Sequence, residues 1–319
     1  MKPRGKTVLF LQVQYRKMRS KYLAIDLGAT NLRVGLWDGR RITGRETASM
    51  VGADERSIIG FLKNYTSSLS FESVGLASAG PLDLKRGTIR PINWINREIN
   101  IVKELEDNLG AKTYLQNDCV ASVLAELVFG AGKDVNNLLY ITMSTGIGAG
   151  AVVDGRVLLG KDGNAHEIGH LVVNYDDDIR CGCGGKSHWE AYCGGANLPK
   201  FFKKYSGLDV ADPAQIFKMA RDGNTAARDF VTQCAKISAA GIGSAINAYD
   251  PDIVTLGGSV FLNNSDLLLG EIMGQVKHYI VNRMPAIIPT PLGHDAPLIG
   301  AGILAGNGGT LGRVPNQNP

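Results

Sequence analysis

No stretch of the 319 residues supplies the roughly 18 consecutive apolar positions that a membrane span needs. The apolar segment 8–13 is too short for a secretory signal core, and no small-residue cleavage site follows it. Cysteine is scarce, at five, and three of the five fall within residues 181–193. An odd, clustered set argues against a disulfide framework and for a metal in a reducing compartment, the cytoplasm. Acidic side chains are missing from residues 1–22, which carry seven basic ones (Lys2, Arg4, Lys6, Arg16, Lys17, Arg19 and Lys21). Taking those seven from the formal net charge of +4 leaves the remainder near −3. The high pI therefore describes a tail, not a nucleic-acid surface. Residues 1–20 are expected to be a flexible extension or a mis-assigned start, with Met18 as the alternative first residue.

What is abundant is glycine, with 40 residues, many in short turns that follow β-like runs. "YLAID" and "LRVGLWD" read as strands joined by the turn "LGATN", and "DGR" marks a hairpin into a third strand. "NLLYITMSTGIGAGAVVDGRVLLG" repeats that plan at 137–160. Helical spacing recurs at 54–69, 100–109, 119–130 and 225–249, and "PDIVTLGGSV" is a further strand ending in glycines. Strands alternating with helices predict an α/β fold, in two halves sharing one β-turn-β theme with a ligand between them.

Three glycine turns close apolar strands: 26–31 (DLGATN), 144–150 (STGIGAG) and 256–259 (LGGS). Such turns offer backbone N–H groups to phosphate, with Thr30, Ser144 and Thr145 adding hydroxyls. Each alone also reads as an ordinary hairpin. None of the three has the Gly-Lys-Ser/Thr of a P-loop or a GxGxxG opening a helix. Asp26 is placed to hold a hydrated Mg²⁺. In "QNDCVAS", Asn117 and Asp118 stand where a strand meets a helix: a carboxylate there can take a proton from a hydroxyl, or the pair can cap the helix. His170, Cys181, Cys183 and His188 make a donor set for tetrahedral Zn²⁺, with Cys193 as a competing thiol. Four protein ligands leave no open position, so the metal reads as structural. It would hold Glu167, His170 and Glu190 toward a polyhydroxylated ligand. "HEIGH" lacks the spacing of a zinc protease HExxH.

Taken together these motifs resemble the ROK family of sugar kinases, within the actin-like ATPase superfamily, over residues 22 to about 305. The resemblance implies two actin-like (ribonuclease H-like) α/β domains with an interdomain cleft and a zinc-stapled loop. Their expected extents are 21–117, regaining a helix at about 297–306, and 118–296, carrying the zinc loop at 170–195. It implies ATP-dependent phosphorylation of a hexose, foremost glucose at O6, with Asp118 as general base. Sugar contacts are implied for Ser78, Ala79, Gly80, Asn93, Asn117, Asp118, Glu167, His170 and Glu190. ATP contacts are implied for Asp26, Gly28, Ala29, Thr30, Asn31, Arg33, Ser144, Thr145, Gly146, Gly148, Gly257, Gly258 and Ser259. ATP, Mg²⁺ and structural Zn²⁺ follow as cofactors, and a homodimer or homotetramer as the assembly. The chain departs from the family's pattern at His188 in place of a third cysteine, Ser187 in place of glycine, Cys119-Val120 in place of Ala-Asn, and His166 where glycine is frequent. The alternatives are an N-acetylhexosamine kinase, a fructokinase or a non-catalytic sugar sensor. A DNA-binding repressor is not expected, because about twenty residues precede the first phosphate motif and such a domain needs ~50.

Overall fold

The computed structural model describes residues 21–90 and 97–311. The expected flexible extension at 1–20 and the candidate Asn93 lie outside the described residues.

Two five-stranded sheets share one strand order. The first runs β3-β2-β1-β4-β7, from β1 (Tyr22–Leu27), β2 (Asn31–Trp37), β3 (Ile42–Ser49), β4 (Ser73–Ser78) and β7 (Lys112–Asn117). β5 (Leu82–Asp83) and β6 (Thr88–Ile89) pair separately. The second runs β10-β9-β8-β11-β12, from β8 (Leu138–Met143), β9 (Ile147–Val153), β10 (Arg156–Val157), β11 (Ile253–Gly257) and β12 (Ala286–Pro289). In each, the lead strand (β1, β8) lies beside the strand after its glycine turn on one side and parallel to a later strand on the other. The duplicated theme read at 21–42 and 137–158 is thus a duplicated sheet plan, and the fold is α/β.

Contacts divide the chain into two compact units. One takes in the described residues up to Asn136, then Gly150–Ala165 and the chain from Asp295; the other takes in Asn137–Ala149 and His166–His294.

In the first unit, β1 is buried along its whole length. Its period of two sends Leu23, Ile25 and Leu27 to one face. There they pack with Ile58 and Leu62 of α1 (Glu55–Thr66) and Leu105 of α2 (Ile101–Leu109). Ala24 and Asp26 fall on the other face, where Ala24 and Ala77 meet Ala121 of α3 (Asp118–Val128) and Leu298 and Ala301 of the C-terminal helix at Ala296–Gly306. Small residues are required there: a Cβ on Gly75 would lie 1.8 Å from the Ala301 carbonyl oxygen. That close packing places the start of α3 on the same sheet face as Asp26.

In the second unit, α4 (Trp189–Cys193) leads into α5 (Leu198–Ser206), α6 (Pro213–Arg221) and the long α7 (Thr225–Tyr249). Trp189 is fully buried and donates its indole N–H to Ser238 Oγ at 3.2 Å. Short α8 (Ser259–Leu262) follows β11, then α9 (Ser265–Val276); the helix at Ala296–Gly306 is α10.

Candidate functional site

The sequence-derived site residues gather into two groups, one in each unit.

In the first, the parallel strands β1, β4 and β7 end side by side. Leu27 pairs with Ser78, and Ser78 with Asn117. Ligand groups in α/β sheets collect at such C-terminal strand ends. Gly28 N–H donates to the Asn31 carbonyl at 3.0 Å, closing the turn that carries Ala29 and Thr30. Ala79 N–H donates to the Leu27 carbonyl at 3.2 Å, which holds the Ser78-Ala79-Gly80 loop against β1. A Cβ on Gly80 would sit 3.6 Å from Asn117 Nδ2.

Asn117 is the N-cap of α3, its Oδ1 accepting the N–H groups of Cys119 at 2.9 Å and Val120 at 3.3 Å. The capping reading is therefore realised, and it leaves the Asn117 amide N–H₂ for other work. Asp118 opens α3, with Oδ1 accepting the Cys119 N–H at 2.9 Å. Burial pushes its carboxyl above the usual range. Asp26 is buried and takes an ion pair from Arg33 across the β1–β2 ladder at 2.9 Å. Burial pushes Asp26 up to about 7; Arg33 opposes the shift, while the charges of Asp118 and Asp295 add to it. Arg33, one of the residues expected at ATP, is thus the ionic partner of Asp26.

A raised carboxyl pKa has a definite sign in the stability of the ligand-free, metal-free protein. The folded state holds the Asp26 proton more tightly than the unfolded state, whose pKa is 3.8. The associated stability is complete below about pH 4, is lost as pH rises to about 7, and does not change further above that. Asp26→Asn should unfold near the wild-type temperature at pH 4 and several degrees higher above pH 7, a difference on the order of 3 kcal/mol. Thermal unfolding of the pair across pH 4–8 measures this, and a pH-independent gap would remove the assignment.

In the second group, the turn after β8 is closed by Ser144 N–H donating to the Gly146 carbonyl at 2.9 Å. The parallel register places Gly257 beside Thr142, and Ser144 Oγ lies 3.1 Å from Ser259 Oγ. Two of the three glycine turns therefore meet side by side. Gly258, at φ +84°, lets the chain pass against Met143, where a Cβ would lie 2.3 Å from the carbonyl oxygen.

Glu190 ties this turn to the Cys/His loop. Its Oε2 accepts the Ile147 N–H at 2.8 Å, and the Cys181 thiol lies 3.7 Å from its Oε1. The segment carrying Glu167 and His170 packs on the same residue, since a Cβ on Gly169 would lie 2.0 Å from the Ile147 carbonyl oxygen. Nothing in the sequence signals that Ile147 is the shared anchor, because its bond to Glu190 spans 43 residues.

His170, Cys181, Cys183 and His188 bring one donor atom each within 4.8 Å of all the others. Nδ1 of His170 lies 3.3 Å from Nδ1 of His188 and 3.8 Å from Cys181 Sγ, and Cys183 Sγ lies 3.2 Å from His188 Nδ1. A tetrahedral zinc with bonds of about 2.0–2.3 Å needs ligand atoms about 3.3–3.8 Å apart. These three separations are close to those of such a cage, with both imidazoles presenting Nδ1. His170 Nε2 is then left off the metal, 3.7 Å from the Glu167 carboxylate and beyond hydrogen-bond length, so that both groups remain available to one ligand. Burial pushes the Cys181 thiol up to about 12, so metal entry must expel its proton. Burial, then the nearby His170, pushes His188 down, which favours the neutral ligating form. Cys193 does not join the cage: it is buried and its thiol donates to the Cys234 carbonyl at 3.4 Å.

Comparison with known proteins follows the same residues. The model of the ROK family matches residues 22–307. A glucokinase of Pyrobaculum calidifontis is 39% identical over 287 residues, covering 90% of this chain and 95% of the relative. Among solved structures, a ROK hexokinase from Thermus thermophilus superposes with a TM-score of 0.78 at 32% identity, covering 89% of this chain and 97% of that one. A ROK family glucokinase from Streptomyces griseus, in complex with glucose and AMPPNP, superposes with a TM-score of 0.79 at 26% identity, covering 89% and 99%.

Proposed function

The chain belongs to the ROK family, and from that premise we propose that it is an ATP-dependent hexose kinase that phosphorylates glucose at O6. The observation that carries the reading is the carboxylate of Asp118. It stands at the ends of three parallel strands beside the Asn117 amide, and burial raises its pKa. A carboxylate shifted upward is a better proton acceptor near neutral pH.

Asn117, capped onto α3 through its oxygen, directs its N–H₂ to a sugar hydroxyl and fixes the sugar against Asp118. Asp118 accepts the 6-hydroxyl proton as that oxygen attacks the γ-phosphorus. The glycine turns at 28–31, 144–148 and 257–259 offer backbone N–H and hydroxyl donors to the phosphates, and transfer is then mainly a matter of alignment and charge balance. Asp26 is the residue to hold a hydrated Mg²⁺, and its buried, Arg33-paired carboxylate fits a cation that would offset its desolvation. Such an ion supplies neutralisation of charge on the phosphates. Glu167, His170 and Glu190 read the sugar, held in place by a structural zinc on His170, Cys181, Cys183 and His188. The cytoplasm suits ATP and free sugar, and assembly as a homodimer or homotetramer belongs to the same reading.

The test is ADP release from Mg-ATP with glucose, mannose, fructose, N-acetylglucosamine and N-acetylmannosamine. Turnover greatest on glucose is expected. Turnover confined to an acetamido sugar would replace the substrate and keep the mechanism. No turnover on any of the five would favour the non-catalytic sugar sensor.

A further inference from the structure

His166 is a buried titratable group that the mechanism above does not use. The residue is 2% exposed, and its Nε2 finds no hydrogen-bond partner among the described residues. Its own backbone carbonyl favours a proton on the ring, and Nε2 finds no acceptor, which assigns that proton to Nδ1. Burial pushes the imidazole down to about 4, so it is neutral at working pH. With the proton on Nδ1, Nε2 carries a lone pair and can only accept. A buried acceptor without a donor is unfavourable, and folded chains rarely keep one that no ligand or water satisfies.

Its position narrows the donor. His166 directly precedes Glu167, and the 3₁₀ turn Ile168–His170 follows. That segment is pressed onto Ile147, whose N–H is held by Glu190. The unsatisfied acceptor therefore heads the same packed assembly that carries Glu167, His170 and Glu190.

We propose that His166 contacts the substrate and sets specificity, its Nε2 accepting a hydrogen bond from one hydroxyl of the sugar. The proposal rests on the hexose kinase reading. Because the nitrogen only accepts, it favours a carbon bearing O–H, or an acetamido N–H, and discriminates against hydrogen or fluorine at that carbon.

A cycle crossing sugar deletions with a side-chain deletion tests it. kcat and KM are measured for glucose, for the four glucose analogues deoxygenated at C1, C2, C3 or C4, and for their fluoro counterparts, with the wild type, His166→Leu and His166→Gln. His166→Leu should raise KM for glucose about tenfold or more with little change in kcat. One deoxy sugar, and its fluoro counterpart, should lose a similar factor with the wild type and be indifferent to His166→Leu. His166→Gln, which keeps an acceptor, should recover part of the glucose affinity. If every sugar responds to His166→Leu by the same factor, the nitrogen is satisfied by water or protein and the proposal is wrong. A second measurement needs no folded variant: the ¹⁵N resonance of His166 Nε2 should move on adding glucose and stay in place on adding the insensitive deoxy sugar. No response to glucose would equally overturn the proposal. The two readings fail separately. A wild type inactive on every sugar removes the kinase assignment, whereas an active wild type without coupling removes only the role of His166.

Discussion

Asp118→Asn should bind glucose within about threefold of the wild type and turn it over about a thousandfold more slowly, the range expected when a general base is removed. The substitution keeps the shape and the position at the start of α3, and Asn117 continues to cap the helix through Cys119 and Val120. What is lost is the proton acceptor. The same change should leave stability unimpaired or raise it slightly near pH 8, because burial penalises the ionised carboxyl that asparagine replaces. It should also lower the pKa of Asp26, whose upward shift includes repulsion from Asp118. An enzyme that is at least as stable, still binds sugar and is nearly inert is the signature of a group kept for chemistry. Single-turnover rates, glucose titration and thermal unfolding measure the three parts. Turnover within tenfold of the wild type would take Asp118 out of the general-base role.

Much of this arrangement was legible because it is local. Strand, glycine turn and strand follow one another within 22–37 and 138–153, so alternation and turn chemistry announce them. The four donors of the Cys/His set lie within 170–188, and their types alone suggest a tetrahedral site. Asn117 could be placed at a strand-to-helix junction, but only the geometry shows that the cap uses its side-chain oxygen and leaves the N–H₂ over. What the sequence does not disclose is long-range. The Asp26–Arg33 ion pair depends on the β1–β2 register, and Asp295 adds its charge to Asp26 from the far end of the chain. The clamp of Glu190 on Ile147 joins a helix start to a glycine turn. Burial of His166 leaves no trace in hydrophobic patterning, because a single polar residue in a Gly/Asn-rich stretch reads as a surface loop.

Removing the metal should separate two layers of the second unit. The purified protein is expected to carry about one zinc per chain. Within 172–188 the structure offers little apolar burial: Val172 is 58% exposed, Tyr175 is 86% exposed, and Cys183 is exposed. The hairpin is held by backbone bonds such as Cys181 N–H to the Gly185 carbonyl and Ser187 N–H to the Ile179 carbonyl. Without a cross-link those bonds open readily. The next element is different, since Trp189 is fully buried on α7 and bonded to Ser238. Chelation, or Cys181→Ser, should therefore abolish amide protection at Cys181, Gly184 and Ser187 while α4 and α7 keep theirs. Catalysis should suffer through position: His170 loses the bond that fixes its ring, and with it the placement of that ring beside Glu167. A loss of about ten- to hundredfold in kcat/KM for glucose, mostly in KM, is the expected size for disturbing the groups around a metal. Zinc and not magnesium should restore both protection and activity to the chelated wild type. Metal analysis, hydrogen exchange and steady-state kinetics on one preparation decide it. A protein that carries no zinc, or an apo form with the same protection and the same KM, would remove the metal from the scaffold of the sugar site.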